Sequence, residues 1–174
     1  MKLQTPEIWD LYDENRNKLG KTHVRGERLP DGCYHLCVHI WIKNSEGKYL
    51  IARRSADRTS FPLFWECSGG SVCAGEDSLQ GALREAYEEL GVALDPEKGS
   101  VVYSRVRKDV GGKRFNDIMD VWLFHYDGEA DLSAATTPDE VADVRWATGE
   151  EIRALSDRGD FVPTLGYFFE LDCF

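Results

Sequence analysis

The clearest pattern of hydrophobic and polar positions along the chain is a helical stripe between Ser78 and Leu90. At about 100° per residue, its apolar side chains fall on one narrow face, formed by Leu79, Ala82, Leu83, Ala86 and Leu90. Asp77 is an N-cap residue with Gln80 three positions later, and Gly91 stands where a left-handed C-cap is needed. The pattern therefore predicts a capped helix whose apolar stripe faces a core.

Short runs of β-branched, aromatic and aliphatic residues predict strands on both sides of this helix. Before the helix, residues 8–23 form a predicted hairpin, and residues 34–42 and 49–53 form two paired strands. After it, a long hairpin across Gly111-Gly112 and one further strand are expected, over residues 100–107, 115–126 and 141–146. The sheet is thus expected to be assembled from both halves of the chain.

A second, shorter helix is predicted over residues 149–156, with Thr148 as its cap. The aromatic tail after Pro163 is predicted to be helical, and it either finishes the core or forms a dimer face. Strands flanking one long helix, followed by a second helix, indicate an α+β or α/β sandwich. A chain of 174 residues is long enough for one packed domain and short for two.

Composition and charge narrow the class of protein. The hydrophobic fraction of 42% and the charged fraction of 30% are typical of a soluble globular protein. No apolar run approaches the roughly 20 residues of a membrane span, and the amino-terminal segment lacks the apolar core of a signal peptide. Five cysteines without Cys-x-x-Cys spacing favour a reduced, cytoplasmic setting. The net charge of −10 argues against a nucleic-acid polymer as partner.

The predicted helix carries more acid than a structural role requires. Glu85, Glu88 and Glu89 share one edge, because spacings of three and four residues place side chains over one another. They lie in the last two turns, where the helix dipole disfavours anions, and no lysine occurs between Gly70 and Val92. Oxygen ligands suit Mg²⁺ or Mn²⁺, which share their remaining positions with water and phosphate. The edge therefore indicates a metal site for a phosphorylated ligand.

At this point the sequence closely resembles a known motif. Residues 70–92 resemble the Nudix box, without insertion, at the positions Gly70, Glu76, Arg84, Glu85, Ala86, Glu88, Glu89, Gly91 and Val92. At about 7% usage per fixed residue, seven fixed positions coincide by chance on the order of 10⁻⁸ per starting point. The chain is accordingly identified as a member of the Nudix hydrolase family, and the region before the box is similar to isomerase-like members.

The resemblance carries specific expectations. It implies an α/β/α sandwich with a mixed central sheet, as a single domain over residues 1–174 with a hairpin extension over about 1–30. It implies that Glu85, Glu88 and Glu89 bind the metal, with a carbonyl near Gly70 assisting. The resemblance also implies that Glu76 pairs with Arg84 and so holds the loop against the helix, and that Gly91 has a structural role. The implied reaction is hydrolysis of a nucleoside diphosphate linked to another group, with Glu85 or Glu89 as base.

Outside the box, a few residues are candidates for binding or catalysis. Arg53 and Arg54 end a predicted strand, with Arg58 in the following loop, and arginine forks suit phosphate oxygens. Trp65 belongs to an aromatic run over residues 61–65 that is favoured as core, although an aromatic face can also stack on a base. Asp120 interrupts an apolar strand and is a candidate additional ligand or base. Asp139-Glu140 offers an alternative outer acid.

Two other functions are compatible with parts of the sequence. Isopentenyl-diphosphate isomerases share the expected fold, and His35 falls where that family places a metal-binding histidine. However, no cysteine is in register with the isomerase nucleophile over residues 66–70, and residues 118–120 keep at most one of the expected acids. A non-catalytic nucleotide binder would not need the full set of box carboxylates. Hydrolysis of a small diphosphate is therefore preferred, with a homodimer as a further expectation.

Overall fold

The computed structural model describes residues 6–110, 113–137 and 139–174, and within these ranges a seven-stranded sheet forms the centre of the molecule. Its strands are β3 (His35–Lys43), β4 (Tyr49–Arg54), β5 (Trp65–Glu66), β6 (Ser68–Ser71), β7 (Gly99–Val110), β8 (Lys113–His125) and β9 (Val141–Ala147). The order is β5-β4-β3-β8-β7, with β6 also paired to β3 and β9 to β4. The strands predicted from the sequence are therefore present.

The central strand β3 pairs in both directions, which makes the sheet mixed. It runs parallel to β8, in register from His35 opposite Asp117 to Lys43 opposite His125, and antiparallel to β4 and β6. Both faces of β3 are covered, which explains its nearly continuous apolar run. The β7–β8 hairpin is longer than predicted, and its expected turn at Gly111-Gly112 lies outside the described residues.

A separate two-stranded hairpin precedes the sheet, formed by β1 (Ile8–Tyr12) and β2 (Lys18–Val24). Tyr12 and Tyr34 exchange two backbone hydrogen bonds of 2.8 Å, which fix the hairpin to the start of β3. The Ile8 carbonyl accepts the amide of Ala74 at 2.7 Å, and the Asp10 carboxylate accepts that of Gly75 at 2.8 Å. The hairpin therefore supports the loop that leads into the long helix.

The long helix α1 (Ser78–Leu90) has the predicted bounds and caps. Asp77 accepts the amide of Gln80 at 2.8 Å, while the Gln80 side chain accepts the amide of Asp77 at 2.9 Å. Gly91 has φ 64°, the left-handed conformation that a side chain disfavours. A Cβ atom there would also overlap the carbonyl of Asp131, so glycine is required for two reasons.

Two apolar layers lie on opposite faces of the sheet and complete the predicted sandwich. One contains the α1 stripe, packed on strand residues such as Val38 and Ile40. The other lies under α2 (Gly149–Asp157), where Ile152 and Leu155 pack around the fully buried Trp41. The 3₁₀ helix Pro163–Phe169 belongs to this second layer, so the aromatic tail finishes the core. No helix of the described residues is long and apolar enough to cross a membrane.

Candidate active site

The loop before α1 is held against the helix by Arg84. Its guanidinium donates to both carboxylate oxygens of Glu76, at 2.8 and 3.1 Å, and to the carbonyl of Ser71 at 2.8 Å. The Nη1 atom of Arg84 also lies 2.9 Å from a carboxylate oxygen of Glu85 and of Glu88. These contacts connect the loop with two of the proposed metal ligands and leave Arg84 with little further capacity to donate.

Glu89 is the most deeply placed acid of the helix, with 9% of its surface exposed. Its Oε2 atom accepts hydrogen bonds from the Ser68 hydroxyl at 2.5 Å and the Gly69 amide at 3.2 Å. Burial raises the pKa of Glu89 to about 8, and the charge of Glu85 adds to the rise. Burial likewise raises the pKa of Glu85 to about 7, despite its ion pair with Arg84. A cation would favour the ionised form of both.

The glycines of β6 allow the strand to approach the helix closely. A Cβ atom at Gly70 would lie far inside van der Waals contact with the carboxylate of Glu85. A Cβ atom at Gly69 would overlap the carbonyl of Val38 on the neighbouring strand. Glycine is therefore needed at Gly69 for the strand to pair with β3, whereas a side chain at Gly70 would displace the Glu85 carboxylate from its place beside the strand.

These residues line a cavity of about 580 Å³. Strand β6 and helix α1 contribute Gly69, Gly70, Ser71, Arg84, Glu85, Glu88 and Glu89, and other segments contribute Pro6, Glu7, Arg25, Arg58, Thr137 and Glu140. Of these outer residues, sequence analysis singled out Arg58 and Glu140 and missed the Glu7–Arg25 pair. The cavity is strongly polar, with carboxylates on the helix side and two arginines that come from loops.

The outer residues are fixed by contacts with the end of α1. The backbone amides of Thr136 and Thr137 and the Thr137 hydroxyl all donate to the carbonyl of Glu88, at 2.9–3.0 Å. The Thr137 carbonyl in turn accepts the amide of Glu140 at 3.0 Å, which positions this acid at the cavity. The Glu140 carboxylate lies 2.9 Å from Arg58. Glu140 is therefore the outer acid that reaches the site.

Asp120, the other predicted acid, does not line this cavity. It is 1% exposed and accepts hydrogen bonds from Arg16, from the Ser78 hydroxyl at 2.5 Å and from the Ser104 hydroxyl at 2.7 Å. Burial alone would raise the pKa of Asp120, but these donors outweigh burial and lower it. Its carboxylate ties the hairpin to the first turn of α1, whereas the box carboxylates lie in the last two turns.

The three predicted substrate contacts also lie outside the cavity. Arg53 donates to the carbonyl of Leu63 at 3.0 Å, and Arg54 to the carbonyl of Ser60 at 2.9 Å and to Glu66 at 2.5 Å. Both arginines thus hold the loop that follows β4. Trp65 packs against the second core layer, with the guanidinium of Arg145 4.9 Å from its ring centroid.

The predicted histidine ligand is used in packing. His35 is 8% exposed and stacks on Trp9 at a centroid distance of 3.9 Å, and burial lowers its pKa. Cys67 is buried in the second core layer, where burial raises the pKa of its thiol well above the usual range. A thiol that remains protonated in a core suits packing better than proton transfer.

The donor set of α1 fits a hard divalent cation. Among the described residues, no three acidic, histidine or cysteine side chains already surround a single point as a closed cage. The oxygens of Glu85 and Glu88 are instead shared with Arg84, and Glu89 lines the same cavity, where its Oε2 atom accepts from Ser68 and Gly69. Carboxylates in an open polar cavity correspond to the way Mg²⁺ is bound, with few protein ligands and room for water and phosphate.

Comparison with known proteins assigns the chain to the family that its box residues resemble. Residues 34–165 match the NUDIX domain family model. The chain is 40% identical over 165 residues to an uncharacterized Nudix hydrolase of Listeria monocytogenes, covering 94% of this chain and 90% of that protein. The crystal structure of DR0079 from Deinococcus radiodurans has a TM-score of 0.67 at 25% identity, covering 90% of this chain and 92% of that one.

The mixed sheet, the capped acidic helix and the polar cavity define a Nudix-type protein. The chain belongs to the Nudix hydrolase family, whose members act on pyrophosphate bonds. It is also 27% identical over 165 residues to the isopentenyl-diphosphate Δ-isomerase of Nocardia farcinica, covering 93% of this chain and 92% of that protein. This similarity agrees with the predicted isomerase-like subgroup.

Proposed function

We propose that the protein is a divalent-metal-dependent pyrophosphohydrolase that cleaves a nucleoside diphosphate linked to a further group. The observation that carries this proposal is one cavity in which Glu85, Glu88 and Glu89 face the arginines of two loops. Carboxylates that hold a cation and guanidinium groups that bind phosphate oxygens are the two parts that a diphosphate site needs.

Glu85, Glu88 and Glu89 would hold Mg²⁺ or Mn²⁺, with the carbonyl of Gly70 as a further ligand. When bound, such a cation neutralises phosphate charge and lowers the pKa of bound water. The chain's own residues position these carboxylates: Arg84 aligns Glu85 with Glu88, and Ser68 orients Glu89. The close approach of Gly70 to Glu85 keeps the strand backbone beside the ligand set.

The reaction forms one P–O bond from water and breaks the bridging P–O bond, giving two phosphate monoesters. The attacking water loses a proton to a carboxylate, for which Glu85 or Glu89 is proposed. Glu140 is a further candidate base, because it lines the cavity opposite the box. The role first considered for Asp120 is assigned instead to structure, since its oxygens are occupied by Arg16, Ser78 and Ser104.

The test is a panel of nucleoside di- and triphosphates, nucleotide sugars and isopentenyl diphosphate, assayed for phosphate or monophosphate release with Mg²⁺ or Mn²⁺. Glu89→Gln is the inactive control, and Glu46→Gln, in an exposed turn, is the matched control. Metal-dependent cleavage that is lost only in Glu89→Gln supports the proposal. Conversion of isopentenyl diphosphate without cleavage, or tight nucleotide binding with no turnover, would contradict it.

A further inference from the structure

The cavity contains three arginines, but they differ in how many of their donors are already used. A guanidinium has five N–H donors. Arg84 makes five hydrogen bonds, to Glu76, Ser71, Glu85 and Glu88, so all of its donors are used. Among the described residues, Arg25 forms one side-chain ion pair, at 2.5 Å to Glu7, and Arg58 forms one, at 2.9 Å to Glu140. Most of their donors are left for a ligand.

Both of these arginines lie in loops that backbone hydrogen bonds join to other parts of the cavity wall. The amide of Arg25 donates to the carbonyl of Glu7 at 2.9 Å, while the other Glu7 carboxylate oxygen accepts the indole N–H of Trp9 at 2.8 Å. The loop of Arg58 is joined to that of Glu140, because the amide of Ser55 donates to the Glu140 carbonyl at 3.0 Å. Each guanidinium is thus presented to the cavity from a loop that hydrogen bonds hold in place.

Arg25 interacts electrostatically with a carboxylate of the Nudix box, Glu85. Burial lowers its pKa, but the negative charges of Glu7, Glu140 and Glu85 outweigh burial and raise it. Arg25, Glu85 and Glu140 line the same cavity, and the charge of the guanidinium interacts with both carboxylates. An anion in that space would be attracted by the same guanidinium.

The balance of charge in the cavity limits which anion fits. Among the described residues, five glutamates and three arginines line it. When all five glutamates are ionised, as a bound cation favours, the excess is two negative charges, which one divalent cation would neutralise. No surplus positive charge then remains, and the net charge of the chain is −10. Each additional phosphate charge therefore adds repulsion. A diphosphate esterified at both ends, with two charges, is better matched than a triphosphate with about four.

We propose that Arg25 and Arg58 bind the two phosphates of a doubly esterified diphosphate, opposite the carboxylates of α1. The inference rests on the proposed function and assigns its substrate contacts to residues other than Arg53 and Arg54, whose donors hold the β4–β5 loop. It also gives Glu7 and Glu140 a role, since they hold the two guanidinium groups in place before the ligand arrives.

The experiment measures binding, so that it does not depend on turnover. The probes are the α,β-methylene analogue of an adenosine diphosphate sugar and α,β-methylene adenosine triphosphate, titrated calorimetrically in Mg²⁺. Both carry adenosine and differ in charge. Arg25→Gln and Arg58→Gln are compared with Arg28→Gln, whose side chain is exposed and whose partner is Asp31. Circular dichroism melting confirms that each variant is folded.

We expect each of the two cavity variants to bind the sugar analogue about 10- to 100-fold more weakly, as for loss of a hydrogen bond to a charged group. Arg28→Gln should bind it as the wild type does, and the wild type should prefer the sugar analogue to the triphosphate. Equal binding by Arg25→Gln, Arg58→Gln and the wild type would overturn the assignment, even if hydrolysis is observed. Equal or tighter binding of the triphosphate would overturn the charge argument. If no compound of the substrate panel is turned over but binding still depends on Arg25 and Arg58, the proposed hydrolase activity is contradicted and the assignment of the two arginines is not.

Discussion

Arg84 and Glu76 form a two-point ion pair, with Nε–Oε1 and Nη2–Oε2 distances of 2.8 and 3.1 Å, between the helix and the loop that precedes it. The same Glu76 carboxylate accepts the backbone amide of Cys73 at 2.9 Å. One side chain therefore closes the loop on itself and fastens it to the helix. Since Arg84 also contacts Glu85 and Glu88, the pair determines how these acids are presented.

Replacing Glu76 tests this arrangement. Glu76→Ala is expected to lower the free energy of unfolding by about 1–3 kcal/mol, because three hydrogen bonds to a charged group are lost. Turnover should fall on the order of 10- to 100-fold, since the box carboxylates lose their alignment. Urea unfolding and initial rates measure the two effects. Glu97→Ala, at an exposed position, is the matched control and should change neither quantity.

The raised pKa of Glu89, about 8, predicts how stability depends on pH without metal. The folded protein keeps this proton to higher pH than the unfolded chain, whose glutamate pKa is about 4.3. Stability should therefore fall as pH rises from about 5 to 8. Glu89→Gln, which mimics the protonated acid, should have a flatter profile. Urea unfolding at pH 5, 6.5 and 8 in EDTA measures this, and parallel profiles would contradict the pKa of Glu89.

The same raised pKa values predict that metal binding releases protons. At pH 7 Glu89 is largely protonated and Glu85 is about half protonated. Binding of Mg²⁺ to their carboxylates must displace these protons, so affinity should increase between pH 6 and 8.5. Calorimetry in buffers with different ionisation enthalpies counts the protons released. Glu89→Gln should release fewer, Glu46→Gln should match the wild type, and binding without proton release would argue against these ligands.

Asp120 should influence stability and leave the chemical step unchanged. Asp120→Asn weakens the hydrogen bonds from Arg16, Ser78 and Ser104 and is expected to lower the free energy of unfolding by about 1–3 kcal/mol. Because the pKa of Asp120 is lowered, its contribution is complete above about pH 4 and is lost on acidification through the folded pKa.

The measurements for Asp120→Asn are unfolding at pH 7 and pH 3 and kcat at saturating substrate. The stability difference from the wild type should shrink at the lower pH, and kcat should stay within about threefold, because the carboxylate does not line the cavity. A large loss of kcat with unchanged KM and stability would restore Asp120 as a candidate base. Arg16→Met, which removes the partner, should reproduce the loss of stability.

The parts of the site that are local in sequence were predictable, and those that depend on tertiary contacts were not. The spacing of Glu85, Glu88 and Glu89 on one helix edge follows from helical geometry alone. The pairing of Glu7 with Arg25 depends on the β1–β2 hairpin, which brings these two residues to a helix that begins only at Ser78. Neither residue lies in a motif, and charged residues in loops are common.

The predicted substrate contacts Arg53 and Arg54 lie outside the cavity. Arg53 and Arg54 were chosen because they end a strand near the box in sequence, and arginine is a good phosphate ligand. In the structure, their donors are used by the carbonyls of Leu63 and Ser60, which a linear sequence does not reveal. Arg58, four residues further on, reaches the cavity instead. The position of the side chain relative to the cavity, rather than the residue type, separates Arg58 from Arg53 and Arg54.

The hydrogen bonds between the β1–β2 hairpin and the loop before α1 make the hairpin part of the folded domain that forms the cavity. The family match starts at residue 34, after the hairpin has ended. Yet the amides of Ala74 and Gly75 are satisfied by Ile8 and Asp10, and one cavity arginine is residue 25. A fragment cut at the family boundary would retain the acidic helix α1 but lose one wall of the cavity that this helix lines. For domain exchange or minimal expression, the boundary therefore belongs before residue 6 rather than at the start of the matched domain.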